Sequence, residues 1–193
     1  MRWLADYRRD LERYREIAGR GALRQLLSQP VLWALLQYRI ASGIYRSSLP
    51  RAVKQPLLVG CGIWRKTAEL LLGIVLPREA VIGPGLYIGH FGGIFLHPHV
   101  VLGPNCSISQ GVTIGVSGEG ESRGVPVIGS DVYIGPHAVV AGRIAIGNGA
   151  RISANSLVLS DIPAGGLARG VPAVVRVHNA STEGSAVSQD GSS

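Results

Sequence analysis

Aliphatic side chains recur at every sixth position through the second half of this 193-residue chain. The run Ile128, Ile134, Val140, Ile146, Ile152 and Val158 keeps one frame. Four places after each stands a small or apolar residue: Val132, Ala138, Ile144, Ala150, Ser156 and Ile162. Upstream the frame holds at Ile82, Ile88 and Ile94, skips two residues, and resumes at Leu102, Ile108 and Ile114. A further eight residues interrupt it between Ile114 and Ile128. A period of six matches neither the helix, at about 3.6, nor the alternating strand, at about two. It is the sequence mark of a parallel β-helix. Three hexads close one triangular coil. The leading aliphatic points inward and stacks on its counterpart a coil away. A Gly or small residue beside it lets the corner turn.

The rest of the chain is different in kind. Residues 1–78 hold 14 Lys/Arg against 5 Asp/Glu, and residues 79–193 hold 5 against 7. LADYRRDLERYREIA spaces Leu4, Tyr7, Leu11, Tyr14 and Ile17 by three or four, a helical stripe. VLWALLQYRIASGIYR follows Pro30, a helix start. The basic surface could face nucleic acid, a membrane, an anionic partner or only solvent. The start, MRWLADYRRDLERYRE, has no apolar stretch of the kind a secretory signal needs. Arg65, Lys66 and Glu69 break the most apolar run, PLLVGCGIWRKTAELLLGIVLP, so no transmembrane helix is expected. Two cysteines, Cys61 and Cys106, exclude a disulfide scaffold and a cysteine-built zinc module. The expected organisation is a basic helical region over 1–78, a β-helix over 79–178 with an excursion loop at 115–127, and a disordered tail over 179–193.

The segments IGPGLYIGHFGGIFLHPHVVLGPNCSISQGVTIG and VIGSDVYIGPHAVVAGRIAIGNGARISANSLVLSDIP, with the exit GVPAVVRV, resemble the hexapeptide acyltransferases. The closest form looks like serine O-acetyltransferase and the O-acetyltransferases of polysaccharide biosynthesis. The resemblance implies a mainly β fold, a left-handed parallel β-helix behind an N-terminal α-helical region. It implies acetyl transfer from acetyl-CoA to a hydroxyl. Such a reaction needs a base, because an alcohol is a poor nucleophile at neutral pH. The resemblance places the catalytic histidine at His90, between Gly89 and Phe91-Gly92-Gly93. It places coenzyme A against Gly135, Pro136, Arg151 and Ala154, with Arg151 facing phosphate, for which its forked donors suit it. It implies a homotrimer, or a dimer of trimers, with sites in clefts between adjacent β-helices.

The chain departs from the serine acetyltransferase pattern around that histidine. The acid before it is Gly89, the acid near the start of the β-helix is Val75, and the histidine of the excursion loop is Val125. The loop arginine is kept as Arg123 if it shifts by one. Arg123 and Gly89 are therefore the expected substrate-side positions. Glu79, Glu119 and Glu121 are the acids left to orient His90, from the same subunit or a neighbour. The missing residues are the ones expected to grip serine's charges. The expected acceptor is thus a neutral sugar hydroxyl in cell-surface polysaccharide assembly, free or lipid-linked. Serine O-acetylation in cysteine biosynthesis is the alternative, and a non-catalytic β-helix scaffold the second. His90, His97, His99 and His137 do not have the spacing of the zinc ligands in β-helix carbonic anhydrases, so no metal is expected. No nucleic acid is expected either. The reading places the protein in the cytoplasm, with peripheral membrane contact open through residues 1–76.

Overall fold

Each hexad becomes one short strand, and strands a coil apart pair in parallel. The computed structural model describes residues 2–19 and 29–176. The tail expected over 179–193, and Arg20 and Arg24, lie outside the described residues. The coils begin with β1 (Ile74–Val75), β2 (Val81–Ile82) and β3 (Tyr87–Ile88), followed by β4 (Ile94–Leu96), β5 (Val101–Leu102) and β6 (Ser107–Ile108). Next come β7 (Thr113–Gly115), β8 (Val127–Ile128), β9 (Tyr133–Ile134) and β10 (Val139–Ala141). The remaining strands are β11 (Ala145–Ile146), β12 (Arg151–Ile152), β13 (Leu157–Val158), β14 (Leu167–Arg169) and β15 (Val174–Arg176). Three sheets form the faces of the prism, in the orders β1-β4-β7-β10-β13, β11-β8-β5-β2 and β15-β14-β12-β9-β6-β3.

The register is the one the repeat dictates. Ile88 pairs with Ile108, Ile108 with Ile134, and Ile134 with Ile152. The frame aliphatics from Ile82 to Val158 are all buried, and so are Val132, Ala138, Ile144, Ala150, Ser156 and Ile162. Stacking like on like gives a continuous apolar column, each fully buried aliphatic being worth about 1.5–3 kcal/mol. The eight-residue insertion leaves the pairing undisturbed because it falls at a corner. The two extra residues lie between Ile88 and Leu96, in the His90–Gly93 corner, and not after Ile94 as the hexad frame suggested: Leu96 pairs with Ile114, while Ile94 pairs with Ile74. Cys106 is among the buried residues. Burial pushes its thiol up to about 11, so it behaves as a small apolar side chain.

The coils start earlier than the hexad frame shows. β1 lies at Ile74–Val75, inside the span assigned to the helical region, and Ile74 pairs with Ile94. Gly73 makes this entry possible. It ends the preceding helix in the left-handed conformation, with φ 61° and ψ 33°. A Cβ there would stand 2.9 Å from the amide nitrogen of Gly93.

The N-terminal helices are α1 (Arg2–Ala18), α2 (Pro30–Arg46) and α3 (Arg51–Leu72). They solve a problem the β-helix cannot solve alone. The first coil has unpaired backbone groups along its outer edge, an invitation to aggregation. Side chains from the helices satisfy them. The Tyr38 hydroxyl donates to the carbonyl of Ala80 at 2.8 Å and accepts from the Ile82 amide at 3.1 Å. The Tyr14 hydroxyl does the same for Ile88, at 2.9 Å each way. Arg39 donates to the carbonyls of Ile82 (2.6 Å) and Gly83 (2.7 Å) and to the Asp10 carboxylate. Asp10 in turn accepts from the amides of Gly85 (2.8 Å) and Leu86 (3.0 Å). At the far end antiparallel β15 covers β14.

Candidate active site

The register fixes which corner residues share a column. Counting two places on from the paired Ile88, Ile108, Ile134 and Ile152 puts His90, Gln110, Pro136 and Ala154 one above another on successive coils. The hydrogen bonds between the later corners agree, His137 donating to the Gln110 carbonyl at 2.9 Å and Asn155 to the Pro136 carbonyl at 2.8 Å. At the first corner Gly111 donates instead to the Gly92 carbonyl, two residues past His90, at 2.8 Å, because that corner holds two extra residues. With about 4.8 Å between strands, His90 and Ala154 stand about 14 Å apart along the prism. Gly135, beside Pro136, is buried.

His90 is exposed at its corner, and among the described residues none hydrogen-bonds to its ring. Its backbone is nevertheless fixed from three sides. Tyr14 holds Ile88. Gly89 donates to the Ile108 carbonyl at 3.2 Å. Gly92 and Gly93, with φ of 107° and 66°, run under the Gly73 cap of α3. The absence of a side chain at Gly89 is not forced by crowding. A Cβ there would meet only the Tyr87 ring, at 3.5 Å. Phe91 (53% exposed) and Phe95 (48%) stand open beside the histidine.

The other expected site residues fall in two places. Arg151 lies outside the corner column, on the flat face of its sheet, its guanidinium 5.2 Å from the Tyr133 ring centroid. Arg123 is exposed in the excursion loop. That loop leaves after β7 and returns at β8. A 3₁₀ turn over Gly120–Ser122 and paired hydrogen bonds between Ser117 and Gly124, at 3.2 and 3.1 Å, close it on itself. Val125 packs its half-buried side chain against the core. Glu79 is engaged by Arg78 at 2.9 Å.

His97 and His99 meet edge to face with ring centroids 5.3 Å apart, the His99 amide donating to His97 Nδ1 at 3.2 Å. His137 sits with φ 57° at a corner, its imidazole lying where a Cβ on Gly111 would be. Among the described residues no group of three or more His, Cys, Asp or Glu could hold a metal ion. Nothing in the repeat singled out Gln110. Its Oε1 is buried and has no hydrogen-bond partner among the described residues, one coil from His90. A long polar residue beside the corner glycine Gly111 is the signal that could have found it.

The family model described as bacterial transferase hexapeptide (six repeats) matches residues 126–160. The chain is 34% identical over 168 residues to a serine acetyltransferase of Synechococcus elongatus, covering 87% of this chain and 65% of that one. It is 34% identical over 159 residues to a serine acetyltransferase of Helicobacter pylori strain J99, covering 81% of this chain and 86% of that one. A solved structure titled as a serine acetyltransferase in complex with CoA superposes with a TM-score of 0.75 at 26% identity, over 90% of this chain and 69% of that one. The prism is thus the left-handed parallel β-helix that the resemblance implied. The expectation of a sugar hydroxyl in polysaccharide assembly is overturned, since these relatives are serine acetyltransferases and the likeness extends into the helices. That expectation weighed three substitutions near His90 above the remainder of the chain.

Proposed function

Because the chain belongs to the serine acetyltransferase family of hexapeptide-repeat transferases, we propose that it moves the acetyl group of acetyl-CoA to the hydroxyl of serine, with His90 as general base. The observation that carries this reading is the likeness to the Helicobacter enzyme over 86% of that enzyme's length. The exposed His90 at the head of the corner column supports it. His90 takes the proton from the serine hydroxyl as its oxygen attacks the thioester carbonyl. The tetrahedral oxyanion rests on backbone N–H groups of the glycine corner. When it collapses, the C–S bond breaks and the imidazolium returns its proton to the departing CoA sulfur. The products are O-acetylserine and CoA, and no further reactant is needed.

CoA lies along the corner column, its pantetheine arm passing Gly135, Pro136 and Ala154. The roughly 14 Å from His90 to Ala154 is a span an extended arm can follow. Arg151, steadied on the Tyr133 ring, takes a phosphate from the neighbouring face. Arg123 swings in from the excursion loop to meet the serine carboxylate. Gly89 leaves room for the substrate beside the base. The working unit is a homotrimer, in which Phe91 and Phe95 are covered by the adjacent copy. The use of acetyl-CoA places the reaction in the cytoplasm.

The test is CoA release from acetyl-CoA with and without L-serine. A serine-dependent rate that saturates is expected, and a rate indifferent to serine overturns the acceptor. In the same assay Arg151→Ala is expected to raise KM for acetyl-CoA about tenfold, the loss of one charge-assisted contact of about 1.5–3 kcal/mol. KM for serine should stay unchanged. An unaltered KM for acetyl-CoA removes Arg151 from the CoA site.

A further inference from the structure

The corner that carries His90 is wider than the one on the next coil. Ile88 pairs with Ile108, and Phe95 with Thr113. Counting inward from both ends sets Gly89 against Ser109 and Gly93 against Gly111. A Cβ on Gly93 would stand 3.3 Å from the Gly111 Cα, in keeping with that register. The first coil therefore places His90, Phe91 and Gly92 where the second has Gln110 alone. Extra residues of this kind re-aim a side chain and recur beside active sites. Of these four residues only His90 and Gln110 have polar side chains.

Both are unmatched. The His90 ring makes no hydrogen bond among the described residues, and Gln110 Oε1 is buried and makes none either. Arg13 Nε and Glu69 Oε2 are also buried without a hydrogen bond, but their side chains are held in other ways. Arg13 donates through Nη2 to Ser107 Oγ at 3.0 Å, and Glu69 is paired with Arg65 and Lys66. A buried acceptor without a donor is rare in folded proteins and needs a cause. The helices reach this corner through Tyr14 of α1 and through Gly73 behind α3. Glu16, in the turn after Tyr14, is held by Arg9 at 2.8 Å, and Glu69, in the turn before Gly73, by Lys66 at 3.0 Å. Tyr14, Tyr87 and His137 are the other titratable groups around the corner, and none is a carboxylate.

We propose that Gln110 is the positioning residue of His90. Its Oε1 accepts from one ring N–H, which fixes the tautomer and turns the other nitrogen toward the serine hydroxyl. The inference rests on His90 being the base of the acetyl transfer proposed above. Side chains facing each other on neighbouring strands have Cβ atoms about 4.5–5.5 Å apart, within reach of a glutamine and an imidazole. The exposed ring needs only to rotate about its own side-chain bonds to meet the amide, and catalytic hydrogen bonds often tighten only once substrate is bound. A neutral amide orients the ring without the pull on its proton that a carboxylate exerts.

The experiment pairs two variants of the full chain. Gln110→Met keeps the length of the side chain and removes the acceptor. In CoA release it should lower kcat roughly 10–100-fold, the usual effect of losing a group that orients a histidine. KM for acetyl-CoA should stay within about threefold of the parent, and the thermal transition should hold or rise, since an unpaired buried acceptor is gone. Gln110→Glu supplies a readout that a purely structural role would not move. NMR titration of the five histidine rings, with His90 assigned through His90→Ala, should show His90 titrating about one pH unit or more higher. The acidic limb of kcat/KM should move up with it, because the base acts unprotonated and a carboxylate favours the imidazolium. Turnover of Gln110→Met within about threefold of the parent overturns the proposal. So does a His90 titration that Gln110→Glu leaves in place. If the parent releases no CoA in response to serine, the acceptor reading fails by itself. The His90 titration needs no acceptor and still decides the contact.

Discussion

Replacing His90 with alanine is expected to lower kcat for serine acetylation by about 10²–10⁴, the typical contribution of a positioned base. The physical case rests on geometry. The imidazole is exposed, carries no structural hydrogen bond among the described residues, and heads the corner column. Its removal is therefore expected to cost chemistry and not folding. KM for acetyl-CoA should change little, since Gly135, Pro136 and Ala154 stand on other coils. Steady-state CoA release, with the thermal transition as control, decides it. Turnover within about threefold of the parent would remove His90 from the mechanism, because even the low end of general-base catalysis is larger.

Asp10→Asn is expected to cost about 3–5 kcal/mol of stability, the usual result of leaving one partner of a buried ion pair alone. For a chain of this size that is a fall in Tm of roughly 10 °C. Asp10 is fully buried and Arg39 nearly so, with Oδ2 2.8 Å from Nε and Oδ1 3.0 Å from Nη2. Burial pushes the Asp10 carboxyl up, while Arg39 and the amides of Gly85 and Leu86 draw it down. Asparagine keeps part of the hydrogen bonding but leaves the guanidinium charge uncompensated against the first coil. The loss should also reach the site, since the same coil carries His90. Calorimetry or circular dichroism against temperature reads the first effect, and kcat at a temperature where both proteins are folded reads the second. A Tm within about 2 °C of the parent would mean that the ion pair is not what joins helices to coils.

Gly89 and Val125 show where reading the sequence went astray. A missing acid and a missing histidine argued for a neutral acceptor, yet 34% identity across helices and coils points to the serine enzymes. Local substitutions report on how a substrate is held. They say less about which reaction the scaffold performs.

The six-residue beat of Ile82 to Val158 determined the coil, its inward columns and its register except at Ile94, whose place opposite Ile114 is taken by Leu96, because each coil repeats the same burial problem and the pattern need only be locally consistent. The beat alone did not single out His90, Gly135, Pro136 and Ala154; the family resemblance named them, and the coil puts them at corners. Other features depend on contacts between residues far apart in the chain, for which a one-dimensional pattern carries no signal. Asp10 and Arg39 read as ordinary charges on helical segments, and only the packing of α1 and α2 over the first coil turned them into the clasp on Ile82–Leu86. Gln110 became a neighbour of His90 only when the coils closed.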